Sequence, residues 1–550
     1  MSGPETLPIP GSVYLVDVQQ KYETPRLHEP RSREATDIIL HPTPSRDVND
    51  PLNWSRRRKL VQLICLMSYT VALGVATTVF YSILRPISED TGIPLATLNQ
   101  GSGYMLGWGS LINLPIALTF GKRGVFLLSA LGSTLVCLWI PHIKTEGQWI
   151  AAKVVQGYVC NPVETLCEVC ITDLFFTHER GRYIGLYTLF LFVGNYCGPI
   201  ISGFIYDSQG WHWVMYWTAI INAVMFVILL VLLEETSYTR SPGGEQISKR
   251  RSDNDSDEKK IISNNKGQDP GTPLDHRSFD VLETSDEQSS QLEGTLTPLL
   301  TRLAIFNRRL APNKMLLTTV WRPLLLLRFP SIFWAGFQYG TCLVWYNVLN
   351  ATCSLILSDA PYNFRASYVG LTYFGPLIGM IIGTFYSGYI GDLFSIASAK
   401  RSAGIREPEN RLWLMCICLV LCPSSLILWG VGAAHQINWP ALVIGMGMIS
   451  CSTGIGSALS IGYALDSYRD LSGEVMMAVI IIRNTLSFAI GYGINPWLDM
   501  GLQNTFICAA FVGMTINMSF LGVIRWGKLW RKKSTKKYWS YVDKGSLMTH

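Results

Sequence analysis

Residues 59–83 read KLVQLICLMSYTVALGVATTVFYSI, a run in which Lys59 is the sole charge. A helix that crosses a bilayer needs roughly 20 mostly apolar residues, so this stretch is long and apolar enough to span one. Windows of the same kind recur outward along the chain, each bounded by charge or turn residues. After 59–83 come 97–120, 124–141, 148–171, 184–206 and 212–233, then 329–357, 367–391, 411–433, 438–465, 475–498 and 503–525. The reading is an all-α membrane protein with twelve transmembrane helices in two six-helix halves. Composition agrees with it: charged residues are 15 % of the chain and apolar residues 49 %, with a mean hydropathy of +0.24. Soluble domains carry roughly a quarter charged residues, so a soluble enzyme, a nucleic-acid binder and a disulfide-stapled secreted domain are all poor readings.

The segments between and around the spans have a different character. Residues 1–58 form a polar N-terminal segment with no apolar core, so no cleavable signal peptide is expected. The halves 59–233 and 329–525 are separated by 234–328, which contains SKRRSDNDSDEKK at 248–260 and almost no aromatic residues. Such a stretch cannot bury enough apolar surface to order itself and reads as a largely disordered linker. Its end, Leu299 to Leu310, reads equally as an amphipathic helix on an anionic leaflet or as a loose approach to the next span. Residues 526–550 form a basic tail. The 13 cysteines are odd in number and fall inside the apolar blocks, which fits packing better than disulfides.

Lys and Arg set the orientation. On one side lie Arg56, Arg57, Arg58 and Lys59, Lys122 and Arg123, Arg180 and Arg182, Lys400, Arg401, Arg406 and Arg411, and the tail cluster from Arg531 to Lys537. The opposite loops carry only Arg85, Lys144 and Arg365. Both termini and the linker are therefore expected in the cytoplasm. Six spans, a cytoplasmic linker and six more are the organisation of carriers whose halves are related by an axis along the membrane normal, with substrate bound between them near the midplane.

Three motifs carry a resemblance. Asp50-Pro51-Leu52-Asn53-Trp54-Ser55 precedes the first span, Lys153-x-x-Gln156-Gly157 lies in the fourth, and Gly194-x-x-x-Gly198-Pro199-x-x-Ser202-Gly203 lies in the fifth. On these residues the chain resembles the fungal drug:proton antiporter group of the major facilitator superfamily, over about Asp50 to Leu529. The fourth-span motif is similar to the family's R-x-x-Q-G with Lys153 in place of Arg, and the fifth-span motif to its G-x-x-x-G-P-x-x-G-G with Ser202 in place of one Gly. The stretches FFTHERGRYIGLY at 175–187 and REPENRLW at 406–413 resemble a narrower branch that includes carriers of polyamines and other organic cations. The family's loop between the second and third spans reads G-x-x-x-D-x-x-G-[RK]-R. Here Gly121-Lys122-Arg123 keeps its ending, but Leu118 stands where the Asp would be. Gly388-x-x-x-Asp392 in the second half keeps both Gly and Asp, so a cytoplasmic latch is expected to use Asp392.

The same residues have a physical reading of their own. Gly198-Pro199 removes a side chain and a backbone hydrogen bond, which allows a bend and close helix approach, and so a part in gating. Gly375, Gly379 and Gly383 form a smooth strip on the eighth span, and Gly103 and Gly107 a shorter one on the second. A charge at mid-bilayer is costly unless paired or wet, so the fourth span draws attention. Lys153 and Glu164 lie about 20° apart around the helix, Glu168 about 40° beyond Glu164, and Gln156 within about 80° of it. Asp173, opposite Glu164 and near the cytoplasmic end, reads as solvated. With the helix centre near Cys160, Glu164 is roughly 6 Å from the midplane. A desolvated carboxyl group holds a proton that it loses when wetted, which is what proton coupling requires. The bland alternative is a static pair of Glu164 or Glu168 with Arg483 or Lys153. Arg483, in the eleventh span, reads as a structural counter-ion, or, facing an empty cavity, as a site for an anion.

Span seven is rich in aromatics, with Trp334, Phe337, Tyr339, Trp345 and Tyr346, and Tyr373 follows in span eight. Aromatic faces bind organic cations, and Trp and Tyr also mark membrane interfaces. With two acids on the fourth span, the set points to a cationic or amphipathic substrate. Other signals carry nothing: Cys167-x-x-Cys170 lacks a second ligand pair, His178-Glu179 lacks a second histidine, and no phosphate-binding loop is present. Thr272-Pro and Thr297-Pro are acceptors that nothing requires. The expectation is a carrier and not an enzyme, a monomer without metal or cofactor, in the plasma membrane or else the vacuolar membrane. It would exchange organic cations, polyamines or drug-like amphiphiles for protons, with Glu164 as coupling site. A proton symporter for nutrients, or a non-transporting sensor on the same scaffold, are the alternatives.

Overall fold

The computed structural model describes residues 9–11, 13–14, 47–95, 97–98, 109–238, 302–304, 321–401 and 405–548. The first half holds α1 (Arg56–Thr78), α2 (Leu84–Thr91), α3 (Ser110–Phe120), α4 (Lys122–Trp139), α5 (Glu146–Cys160), α6 (Pro162–Leu174), α7 (Thr177–Gln209) and α8 (Trp211–Leu232). The second holds α9 (Pro330–Ser358), α10 (Ala366–Thr372), α11 (Phe374–Phe385), α12 (Gly391–Arg401), α13 (Cys418–Ala434), α14 (Trp439–Ser467), α15 (Ser472–Leu498) and α16 (Leu502–Met548). Among the described residues ten helical stretches are long and apolar enough to cross a membrane. The short α3 and the jointed pair α5–α6 complete twelve crossings. Residues 99–108, and with them the Gly103–Gly107 strip, lie outside the described residues, as do nearly all of the linker, Thr272 and Thr297.

Helix starts follow local chemistry. Ser55 Oγ accepts from the Arg58 amide at 3.4 Å to cap α1, and Thr145 Oγ1 caps α5 by accepting from the Gln148 amide. Asp50, fully buried, caps the preceding 3-10 turn Pro51–Asn53 through the Leu52 amide at 3.0 Å. Two expected single helices are jointed instead. The fourth span divides at Asn161–Pro162 into α5 and α6, and the eighth runs α10, α11, a π-turn at Tyr386–Ile390 and α12. The glycine strip on α11 does what its spacing predicts: a Cβ on Gly375 or Gly383 would meet Val443 O or Cys451 O of α14 at 2.7 Å, and one on Gly379 would overlap Gly447 O.

Each half has its own apolar core, with Leu66, Phe126 and Leu166 in the first and Ile332, Leu412 and Val479 in the second. A third cluster joins the halves and includes Phe80, Tyr196, Tyr346 and Trp429. With the orientation set by the basic loops, this cluster reaches toward the outer side.

The tail departs from a simple extension of the last span. α16 continues unbroken to Met548, and Arg531 on it is fully buried. Its guanidinium donates to Glu409 Oε1 at 2.8 Å, to Glu409 Oε2 and Glu407 Oε2 at 2.6 Å each, and to the Pro10 carbonyl at 2.6 Å. Nearby, Val13–Tyr14 pairs antiparallel with Ile405–Arg406. Residues 10 and 13–14 are thus seated on the second half, at the end that carries the basic loops. Replacing Arg531 leaves the buried Glu409 without its cation and Glu407 with the exposed Lys528 alone, at 2.8 Å. Arg531→Ala is expected to cost about 3 kcal/mol of stability, seen as a lower Tm of the purified protein; an unchanged Tm would show that this hub holds nothing together.

Candidate transport site

The site begins at the joint in the fourth span. Pro162 has no amide hydrogen for the Tyr158 carbonyl, and Asn113 Nδ2 from α3 donates to that carbonyl at 3.1 Å instead. Asn161 keeps helical dihedrals, so α6 continues the direction of α5 while Glu164 falls in its first turn. Ser129 Oγ donates to the neighbouring Val159 carbonyl at 2.6 Å and Tyr187 Oη to that of Val163 at 2.8 Å. The backbone beside Glu164 is therefore held by side chains of three other helices.

Glu164 meets Arg483. The carboxylate pairs with Arg483 Nη2 across the seam between α6 of the first half and α15 of the second. Arg483 Nη1 also donates to Tyr339 Oη on α9 at 3.0 Å, and its Nε and Nη2 donate to Asn484 Oδ1 at 2.9 and 2.6 Å. The guanidinium side chain is 6 % exposed and that of Glu164 26 %, so the acid is the member that water reaches. Glu168, one turn further along α6, is buried and makes no ion pair among the described residues. The local balance is one cation against two carboxyl groups.

Lys153 does not join this cluster, although it shares a helix face with Glu164 in sequence. Eleven residues put it roughly 16 Å away along the axis. Its ammonium donates to Gln156 Oε1 at 3.1 Å and sits over the rings of Phe80 and Trp149, 3.2 and 4.8 Å from their centroids. Gln156 Nε2 in turn donates to the Ala76 carbonyl of α1 at 2.8 Å. Lys153 and Gln156 thus tie α5 to α1 rather than completing the Glu164 site.

The aromatic set of α9 also divides. Trp334 Nε1 donates to Ser519 Oγ of α16 at 2.8 Å, and its ring meets Tyr463 edge to face, inside the second half. Phe337 stacks on Phe333, itself half exposed, and Trp345 lies against Trp497 of α15. These three lie about 120° to 160° around the helix from Tyr339 and face away from the ion pair. Tyr346 alone shares the Tyr339 face; it meets Tyr196 and Phe192 of α7 edge to face at 5.7 and 6.3 Å. Tyr373 reaches the same region by donating to Asn350 Oδ1 at 3.1 Å.

The fifth-span motif packs in two directions. A Cβ on Gly194 would stand 2.8 Å from Val71 O, and one on Gly198 would overlap Thr78 Oγ1, so both glycines admit α1. Toward the outer end Gly203 abuts Ala366 and Ser367, and Gly370 of α10 sits where a Cβ would be 2.6 Å from Pro199 O. These contacts join the halves, as do the Arg85–Asp359 ion pair and the Ser367 amide donating to Asp207 at 3.3 Å. The outer side of the seam is closed.

At the end with the basic loops, the ion pairs among the described residues stay within each half. Asp392 lies 3.5 Å from Arg411 of the same half, which also donates to the Ser387 carbonyl at 3.0 Å. Asp392 therefore does not reach the first half here. Asp173 is not simply solvated, because it pairs with the buried Lys122. With Leu118 in the acid's place, Glu235 accepts from the Lys122 and Arg123 amides at 3.1 and 3.0 Å, and Glu234 takes both ends of Arg58. Glu234, Glu235, Tyr339 as an arginine partner and Asn484 were not singled out in sequence; two consecutive acids closing an apolar span were the available signal for the first pair.

The model of the Major Facilitator Superfamily matches residues 64–492. The chain belongs to this superfamily. It is a multi-pass membrane transporter and not an enzyme. Its relatives include an MFS-type transporter of Schizosaccharomyces pombe, 28 % identical over 525 residues and aligned over 92 % of this chain and 90 % of that one. Protein HOL1 of Saccharomyces cerevisiae is 26 % identical over 567 residues, with 96 % of each chain covered. A probable efflux pump of Aspergillus flavus is 24 % identical over 82 % of this chain and 97 % of its own. This fungal company fits the drug-transporter branch that the motifs resemble. Among solved structures, the human organic anion transporter MFSD10 superposes with a TM-score of 0.51 at 13 % identity, over 84 % of this chain and 99 % of that one. That likeness speaks for the twelve-helix fold alone.

Proposed function

We propose that the protein exchanges organic cations, among them polyamines and drug-like amphiphiles, for protons by alternating access, with Glu164 as the shared binding site. The observation that carries this reading is the Glu164–Arg483 ion pair across the seam. Arg483 would favour an anion if it faced the seam uncompensated. Paired with Glu164, and with Glu168 a turn away, it leaves the site one negative charge in excess when both acids are ionised. A proton or an organic cation can each replace Arg483 at the Glu164 carboxylate, but not together. Mutual exclusion at one carboxylate is the requirement for antiport, since each ligand must leave before the other binds. The position supports it too: carriers of this architecture bind substrate near the midplane between the halves, and Glu164 lies roughly 6 Å from it. A monomer in the plasma membrane completes the proposal.

The test is purified protein in liposomes with an acidic lumen and labelled spermidine outside. Exchange predicts accumulation that collapses when the pH gradient is dissipated. Accumulation that is indifferent to the gradient overturns proton coupling, and no movement of spermidine or of any other organic amine overturns the cation reading.

A further inference from the structure

Above the ion pair, the same face of α9 carries Tyr346 and Asn350. They stand seven and eleven residues beyond Tyr339, within about 20° of it around the helix and roughly 10 and 16 Å along the axis. Tyr346 is 5 % exposed and Asn350 fully buried, yet neither the Tyr346 hydroxyl nor Asn350 Nδ2 makes a well-formed hydrogen bond; the two side chains interact weakly with each other, which leaves the hydroxyl proton and an amide proton without an acceptor. Their neighbours are already committed. Tyr373 Oη donates to Asn350 Oδ1 at 3.1 Å, which fixes the amide with its nitrogen toward Tyr346. Ser450 Oγ donates to the Pro376 carbonyl at 2.7 Å, so the Tyr196 hydroxyl, 2.6 Å from Ser450, is the donor of that pair and has its proton in use. Buried polar atoms are ordinarily satisfied, and two poorly satisfied ones on one helix face, at the seam between the halves, ask for a partner.

We propose that Tyr346 and Asn350, walled by Tyr196 and Phe192 of the opposite half, form a second subsite that takes a hydroxyl or uncharged amine at the far end of an elongated cation whose charged end lies at Glu164. This rests on the cation reading above and narrows it. The Asn350 amide needs an acceptor, and the Tyr346 hydroxyl can give or accept; a hydroxyl or neutral amine supplies both roles through one atom. The rings of Tyr196 and Phe192, edge to face with Tyr346, suit the apolar stem between the two polar ends. The rings touch in the closed seam, so the subsite fills as the halves part. An extended chain advances roughly 1.2 Å per bond, so a ~10 Å separation corresponds to about eight bonds.

The experiment measures binding of ω-amino alcohols from three to twelve carbons to the purified full chain, each against the n-alkylamine of equal length. The ratio removes the general gain from added methylenes. For the native protein the amino alcohol should be favoured about tenfold near seven carbons and not at three, as two modest hydrogen bonds allow. Tyr346→Phe should flatten the ratio toward one while n-alkylamine binding and Tm stay native, which shows that the variant is folded; Asn350→Leu should flatten it too, with a lower Tm because the buried Tyr373 hydroxyl loses its acceptor. A ratio near one at every length in the native protein, or an unchanged peak in both variants, overturns the subsite and leaves the cation reading standing. Binding of neither series overturns both.

Discussion

Glu164→Gln is expected to abolish gradient-driven spermidine accumulation while leaving a folded, membrane-inserted protein. Glutamine fills the same volume and can still accept from Arg483, so the packing around Tyr339 and Asn484 is kept. Its amide cannot exchange a proton, and the guanidinium loses its directly paired carboxylate, with only Glu168 a turn away to oppose it. A unit charge about 4 Å away at an effective dielectric of ~20 is worth about 4 kcal/mol. An arriving cation would meet that repulsion in place of an attraction, so uptake should fall roughly 100- to 1,000-fold. The double variant Glu164→Gln/Arg483→Gln separates the two effects. Removing the unpaired guanidinium should restore part of the spermidine binding but none of the accumulation. If the double variant still accumulates spermidine in response to the pH gradient, the coupling proton is not on Glu164, and Glu168 is the remaining buried acid beside Arg483.

The second large effect concerns closure. Gly370→Val places a branched side chain where even a Cβ would lie 2.6 Å from Pro199 O and 3.2 Å from Ile200 O. Both atoms are backbone of α7 and cannot turn aside as a flexible side chain would, so the outer ends of α7 and α10 cannot meet. Spermidine binding to the purified variant should remain near native, whereas counterflow exchange, which needs only alternating access and no gradient, should fall at least roughly 100-fold because every cycle requires this closure. Gly370→Ala should fall between the two. Native counterflow in the valine variant would mean that the halves do not close through the Gly370–Pro199 contact. The Arg85–Asp359 pair lies on the same outer side but is half exposed at both ends, so its loss should matter far less.

Much of this was legible before any coordinates. Apolar windows require only composition along one dimension, and among the described residues each of them falls on a helix or a jointed run of helices. Glycines at a spacing of four announce close helix approach, and the α11 strip meets α14 as that spacing implies. What could not be read was which faces meet. Helical periodicity put Lys153, Glu164 and Glu168 on one face but carried no information on the neighbour opposite each. Lys153 turned out to rest on Phe80 and Trp149, while Glu164 found an arginine 319 positions away. The aromatics of α9 misled for the same reason: Trp334 and Phe337 share a helix with Tyr339 and Tyr346 but not a face. Asp173 seemed solvated because its partner, Lys122, belongs to a different helix end. Pairings across a seam come from three-dimensional assembly, and a single sequence records only the two halves of each.

The central claim is exchange at a shared carboxylate, and the sign of proton movement tests it most directly. Spermidine is added outside protein-containing liposomes with a trapped pH-sensitive dye, equal pH on both sides and the membrane potential clamped. Exchange predicts that the lumen becomes more alkaline as spermidine enters and protons leave, and that the change is absent in Glu164→Gln. A lumen that turns acidic would establish symport, and spermidine entry with no pH change would establish uncoupled transport; either result contradicts the account.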